Sequence, residues 1–266
     1  MVIRLYQYKF PYREGLILQI NNSYGEIAPL PKFSKETLDE ARAETLNWIR
    51  TGETPTLPSV RWGIACAQTP LQSVHLPLCA LNQPRLGFST LKLKLGHLPL
   101  HDAIALVKHH YRNYTLRLDC NRAWTLAQAL EFASHFKPAD FAYLEEPVRT
   151  FDELIRFSET THFPIAVDEH IHSDLSQLPS LTTVVVKPTL VGHIPKILPH
   201  LNLVLSSSHE TGLGLLHIAR SATNTLPIGL DTYRHDILTS PIDCSNGFFS
   251  WKLTHPPIDV SQLCAL

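Results

Sequence analysis

The chain has 266 residues, 44% hydrophobic and 18% charged, with a formal net charge of -1 when histidine is neutral. This length suits one large domain or a large and a small one, and the near-zero charge gives no electrostatic case for nucleic acid or an anionic membrane surface. Cys66, Cys79, Cys120, Cys244 and Cys264 are scattered, odd in number and without CxxC spacing, which argues against a disulfide framework or a zinc site and fits a reducing cytoplasm.

The opening MVIRLYQYKF carries charge early and lacks the long apolar run of a signal peptide. No window supplies the roughly 18 apolar residues of a membrane span. VIRLYQYKF and GLILQINNSYGEIAPL read as strands joined by a tight turn near Tyr12–Gly15. FSKETLDEARAETLNWIR predicts an amphipathic helix capped by Ser34, with Leu38, Ala41, Leu46 and Ile49 in its apolar stripe. TGETPTLPS is a Pro-rich linker, and a second helix starts just after it.

From residue 76 the character changes. Strand-like runs HLPLCAL, TLKLKLG, TLRLDCN, FAYLEEP, IAVDEH, TTVVVKP, NLVLSSS and LPIGLDT alternate with helical patterns. The connectors after Asp168 and Lys187 are short and contain proline. A βα repeat of roughly 20–25 residues, with eight strands, predicts an α/β fold of the modified TIM-barrel type. A doubly wound open sheet is the alternative, but the chain has no GxGxxG turn. We expect residues 76–239 to form the barrel, and residues 1–75 to form a small α+β capping domain completed by residues 240–266.

Chemistry in such barrels sits at the C-terminal strand ends. Successive runs deliver Lys92 and Lys94, then Arg117, Asp119 and Asn121, then Glu145, Asp168, Lys187, Ser206 with Ser208, and Asp231. Each alone is weak, since a strand-end carboxylate is usually a turn residue or cap and a strand-end lysine is usually solvated. Together they end otherwise apolar runs. Adjacent strands lie about 4.8 Å apart. Carboxylates that close repel by up to about 4 kcal/mol per pair at an effective dielectric near 20. Asp119, Glu145 and Asp168 must therefore be protonated, paired with lysine or bound to a hard cation such as Mg²⁺. A lysine that is partly desolvated near other cations can accept a proton as a neutral amine. Proton abstraction next to a carboxylate is the chemistry implied.

The stretches GEIAPLPKFSKET, LPSVRWGIACA, KLKLG, LRLDCNRAW, LEEP, VDE, VVKPTLVG, SSSHETGLGL and GLDT occur in this order from Gly25 to Thr232. With them the chain resembles the o-succinylbenzoate synthases (MenC type) of the enolase superfamily, in their gammaproteobacterial form. LRLDCNRAW and KPTLVG are specific, whereas EEP and VDE mark only the wider superfamily. The resemblance implies a (β/α)7β barrel with an α+β cap. It implies Mg²⁺, with Mn²⁺ as the substitute ion, on Asp119, Glu145 and Asp168. Lys94 would be the base and then the acid, Lys92 its electrostatic support, and Lys187 the group facing the enediolate. Arg117 and Asn121 would tune the site, Ser206 and Ser208 would face the succinyl arm, and Gly229 would line the pocket. The implied reaction is the syn dehydration of 2-succinyl-6-hydroxy-2,4-cyclohexadiene-1-carboxylate to 2-succinylbenzoate in menaquinone biosynthesis. The implied partner is this small carboxylate alone, acted on by a cytoplasmic monomer or weak homo-oligomer. The chain departs from the family at FPYREGLILQI, which leaves little room for the longer loop usual between the first strands of the cap.

Three rivals share parts of this pattern. An N-acylamino-acid racemase or dipeptide epimerase would use Lys94 and Lys187 on opposite faces of the α-carbon. A Schiff-base aldolase would use one lysine but gives no reason for three carboxylates. A non-catalytic barrel would leave costly buried charges unused.

Overall fold

Apolar residues dominate the inner faces of the N-terminal strands, and the computed structural model, which describes residues 1–254, 258–261 and 263–266, folds them into a sheet. β1 (Ile3–Phe10) and β2 (Arg13–Ile20) pair antiparallel from Ile3 opposite Ile20 to Phe10 opposite Arg13. Only Pro11 and Tyr12 remain for the turn, so the connection is a two-residue hairpin loop that lies earlier than the Tyr12–Gly15 expected, with Arg13–Gly15 already paired in β2. The following run, read as one strand, is two. β2 pairs with β3 (Ser23–Ile27) across a turn at Asn21, whose φ of 52° an asparagine tolerates.

The first helix, α1, spans Leu38–Thr51 and is capped by Thr37, not by Ser34. Thr37 and Glu40 form a reciprocal capping box, which satisfies two backbone donors at once. Ser34 instead accepts from the Leu30 amide at 2.8 Å, closing the preceding turn. Ala41 and Thr45 form the buried face, while Leu46 is 44% exposed. Helix α2 (Pro58–Ala67) begins with proline at its first turn, where no amide partner is lost. It lies against β3 at Gly25, where a Cβ would stand 2.6 Å from the Ala67 amide nitrogen. Leu16, Leu18, Ile27, Val60 and Ile64 form the core of this layer.

HLPLCAL divides into β4 (Val74–Pro77) and β5 (Ala80–Leu81). Parallel strands follow: β6 (Thr90–Lys94), then helix α3 (Leu100–His110), β7 (Thr115–Asp119), α4 (Leu126–Ala133), β8 (Tyr143–Glu145), α5 (Phe151–Thr161) and β9 (Ile165–Val167). Next come β10 (Leu181–Val186), the four-residue α6 (Pro188–Val191), β11 (Asn202–Leu205) and α7 (Gly212–Arg220). β12 (Phe248–Trp251) pairs with β4, and β13 (Cys264–Ala265) with β1.

The order β11-β10-β9-β8-β7-β6-β5 is strictly sequential. A doubly wound sheet reverses its order at a switch point, so this order fits a barrel wall and excludes that alternative. The eighth expected strand, LPIGLDT, contributes a single bridge between Ser206 and Gly229. The abbreviated connectors are as expected, a three-residue turn of helix at Leu175–Gln177 and the short α6. Two compact units result: Met1–Pro77 with Val186–Pro195 and Leu205–Leu266, and Leu78–Val185 with Lys196–Val204. Among the described residues no helix is long and apolar enough to cross a membrane.

Candidate active site

Parallel pairing in register places Lys92, Arg117 and Tyr143 in one row across β6, β7 and β8. Lys94, Asp119, Glu145 and Ala166 form the next row, toward the C-terminal strand ends. Asp168 stands directly after the end of β9 at Val167 and is buried. Leu91, Leu93, Leu116, Leu118 and Leu144 take the opposite face and are fully buried.

Lys92 reaches up one row. Its Nζ lies 2.8 and 2.7 Å from the two Glu145 carboxylate oxygens and 2.9 Å from Asp119 Oδ2. Burial works against its charge, but Glu145 and Asp119 outweigh burial and hold its pKa well above the ordinary lysine value. Lys92 is therefore a fixed cation in a nearly dry position. The Lys94 ammonium lies 3.4 Å from Asp119 Oδ2 and 3.2 Å from Asn121 Oδ1, and its side chain is 41% exposed. Asp119 Oδ1 also accepts from the Asn121 amide at 3.0 Å. Asn121 and Arg122 have positive φ, which turns the chain sharply off the strand end. Arg117 is buried, with its guanidinium 5.6 Å from the centre of the Tyr143 ring.

Sequence reasoning missed Glu146. Simple alternation would send it to the leucine face, but its φ of 46° breaks the alternation. Its buried carboxylate accepts from the amides of Asp168 and His170, both at 2.9 Å, and meets His170 Nδ1 at 2.5 Å. Glu146 thus fixes the turn that presents Asp168. The adjacent acidic pair in EEP was the available signal.

Among the described residues, no group of three His, Cys, Asp or Glu side chains is arranged to hold a metal ion. Asp119 and Glu145 are turned onto Lys92. The donor chemistry nevertheless fits a hard divalent cation. Two carboxylates are buried side by side, and a third, Asp168, follows directly on the end of the next strand.

The other expected residues belong to the first unit. Lys187 follows β10 directly and is half-buried at the start of α6. Ser206 donates to the Gly229 carbonyl at 3.2 Å. A Cβ at Gly229 would stand 2.7 Å from Ser206 Oγ, so any larger residue there would push that hydroxyl aside. Ser208 is buried, and its hydroxyl donates to Glu210 Oε1 at 2.5 Å.

Glu26 of β3, also missed as an individual residue, is buried in the same unit. It accepts from Tyr8 Oη, from the amides of Thr211 and Gly214, and from the Thr211 hydroxyl. Burial pushes its pKa up to about 7; the nearby Glu210 adds to this, and the hydrogen bonds and Arg13 only partly offset it. Between its ordinary value of 4.5 and about 7, the folded chain then holds a proton that the unfolded chain lacks. The stability from this group is full below pH 4.5 and falls as pH rises toward 7, by roughly 3 kcal/mol in all. We expect the urea midpoint to decline across this range and Glu26→Gln to flatten the decline. Equal slopes in both proteins would refute the assignment.

A sequentially ordered parallel wall with Lys-x-Lys on one strand, and acids at the ends of the next three, is the arrangement of enolase-type barrels. Residues 80–183 match the enolase C-terminal domain-like family, and residues 1–71 match the MenC N-terminal domain. The o-succinylbenzoate synthase of Klebsiella pneumoniae is 36% identical over 83% of this chain and 83% of its own length. That of Pasteurella multocida is 34% identical over 86% and 88%. The chain belongs to the o-succinylbenzoate synthase family. Among solved structures, the Thermosynechococcus elongatus o-succinylbenzoate synthase, with Mg in its active site, matches with a TM-score of 0.67 at 21% identity, over 86% of this chain and 92% of that one. A dipeptide epimerase from Enterococcus faecalis matches at 0.73 and 19% identity, over 97% of this chain and 100% of that one. These two likenesses establish the fold.

Proposed function

We propose that the chain dehydrates 2-succinyl-6-hydroxy-2,4-cyclohexadiene-1-carboxylate to 2-succinylbenzoate, a step of menaquinone biosynthesis, in the cytoplasm and as a monomer or weak homo-oligomer. The observation that carries this reading is the Lys94–Asp119–Glu145 row at the ends of three paired parallel strands. Residues 1–75 with 240–266 would cap a barrel of residues 76–239.

Asp119, Glu145 and Asp168 would hold Mg²⁺, with Mn²⁺ as the substitute ion. When bound, the ion supplies positive charge for the substrate carboxylate. Lys94, as the neutral amine, takes the α-proton, and the C–H electron pair passes into the enediolate. Lys187 stabilises that charge, with Lys92 as a second fixed cation. Lys94, now an ammonium, returns a proton to the departing hydroxyl on the same face. The C–O bond breaks, water leaves and the ring becomes aromatic. Arg117 and Asn121 hold the first row and the Lys94 amine in place. Ser206, Ser208 and Gly229 border the succinyl arm.

The test is conversion of the cyclohexadiene substrate in the presence of Mg²⁺, followed by product formation. EDTA should abolish turnover while moving the melting temperature by only a few degrees, because Lys92 already neutralises part of the acid pair. Full activity in EDTA would remove the ion from the reading. Two lysines, one at the end of β6 and one after β10, also suit a racemase or epimerase. Racemisation of N-succinyl amino acids with no 2-succinylbenzoate formed would put that activity in its place.

A further inference from the structure

The first-unit segments that carry site residues meet at a buried pair of carboxylates. Glu210 Oε1 accepts from Thr189 Oγ1 at 2.7 Å and from Ser208 Oγ at 2.5 Å, while Oε2 accepts from the Ser208 amide at 2.7 Å. Thr189 stands two residues after Lys187, and Ser208 two residues after Ser206. Glu26 grips the next link of the same segment, through the Thr211 amide and hydroxyl and the Gly214 amide at 3.0 Å. Gly214 leaves room for both acids, since a Cβ there would crowd Glu26 Oε2 and stand 2.5 Å from Glu210 Cβ. Thr189 is 1% exposed, Ser208 1%, Glu210 2% and Glu26 3%. Burying two carboxylates side by side is costly, and an apolar pair would fill the space more cheaply. What the carboxylates add is direction: each fixes two chain segments at once.

We propose that Glu210 is a positioning residue. It locks the Lys187 turn to the Ser206–Ser208 strand end, and Glu26 anchors that lock to the N-terminal sheet. The Thr189 link orients the turn that carries Lys187, and the Ser208 link orients the segment that carries Ser206. The proposal rests on the dehydratase reading for what Lys187 and Ser206 do with that orientation.

Thr189→Val removes one donor at nearly constant volume. It should lower kcat about 10- to 100-fold, the order expected for a misplacement near 1 Å, and leave KM within about twofold. Thr189→Ser keeps the hydroxyl and should restore most of kcat. Glu210→Gln, which cannot accept from the Ser208 amide through its NH₂ group, should lower kcat and raise KM together. A purely structural role would lower the urea midpoint without this split and without rescue by serine. A kcat within threefold of wild type in folded Thr189→Val overturns the proposal. The second readout needs no turnover: labelling of Lys187 by an amine-acylating reagent, followed by mass spectrometry. Thr189→Val should change that rate severalfold and leave Lys94 labelling unchanged. If wild type forms no 2-succinylbenzoate, the dehydratase reading fails. The Lys187 labelling still decides the positioning role, and equal rates in both proteins overturn it.

Discussion

Lys94→Ala should reduce dehydration by about 10⁴-fold, the upper range for a single general acid–base group. It should leave the fold nearly untouched. The Lys94 side chain is 41% exposed and its contact to Asp119 is long, at 3.4 Å. Asp119 also keeps Lys92 at 2.9 Å, so we expect a stability change within about 1 kcal/mol. Lys187→Ala should cause a comparable loss by removing charge stabilisation. The two variants differ in a second assay. Exchange of the substrate α-proton with solvent deuterium should disappear in Lys94→Ala and persist weakly in Lys187→Ala. Substantial turnover in Lys94→Ala would show that the base lies elsewhere.

The second large effect concerns stability. Lys92→Met should cost about 3–5 kcal/mol in EDTA, because it leaves Asp119 and Glu145 buried at 2% and 0% exposure with their shared cation removed. Adding Glu145→Gln to Lys92→Met should recover much of the loss, since it also removes one of the two facing charges. Millimolar Mg²⁺ should raise the midpoint of Lys92→Met more than that of wild type, if those carboxylates bind the ion. Urea denaturation of the three proteins, with and without Mg²⁺, measures all three effects. A loss under 1 kcal/mol in Lys92→Met would mean that solvent reaches the acids and that Lys92 is dispensable as their counterion.

The parallel wall was legible because each strand is a short apolar run ending in a polar residue, and its order follows the chain. The row of Lys94, Asp119 and Glu145 was legible for the same reason, since in-register parallel pairing preserves position along the strand. Helix α1 was placed correctly but capped wrongly. Ser34 and Thr37 are both good caps, and Glu40, three residues after Thr37, was the deciding signal. Its expected stripe holds at Ala41, which is buried, and at Leu38 and Ile49, which pack against the core, but not at Leu46; Thr45 satisfies its hydroxyl on the Ala41 carbonyl and so can be buried where Leu46 is not. Glu146 escaped because a single residue of positive φ defeats period-two reasoning. The Glu26 contacts with Thr211 and Gly214 span 185 and 188 residues, and no local pattern encodes such a meeting.

The ammonium of Lys92 between Asp119 and Glu145 has a consequence for the order of assembly. Many metal sites are empty of order until the ion arrives, and their folding waits on supply. Here an internal counterion lets the acids come together on their own. If Asp119, Glu145 and Asp168 hold the proposed ion, the sheet that carries them would not depend on it to form. Loading would then be an event separate from folding.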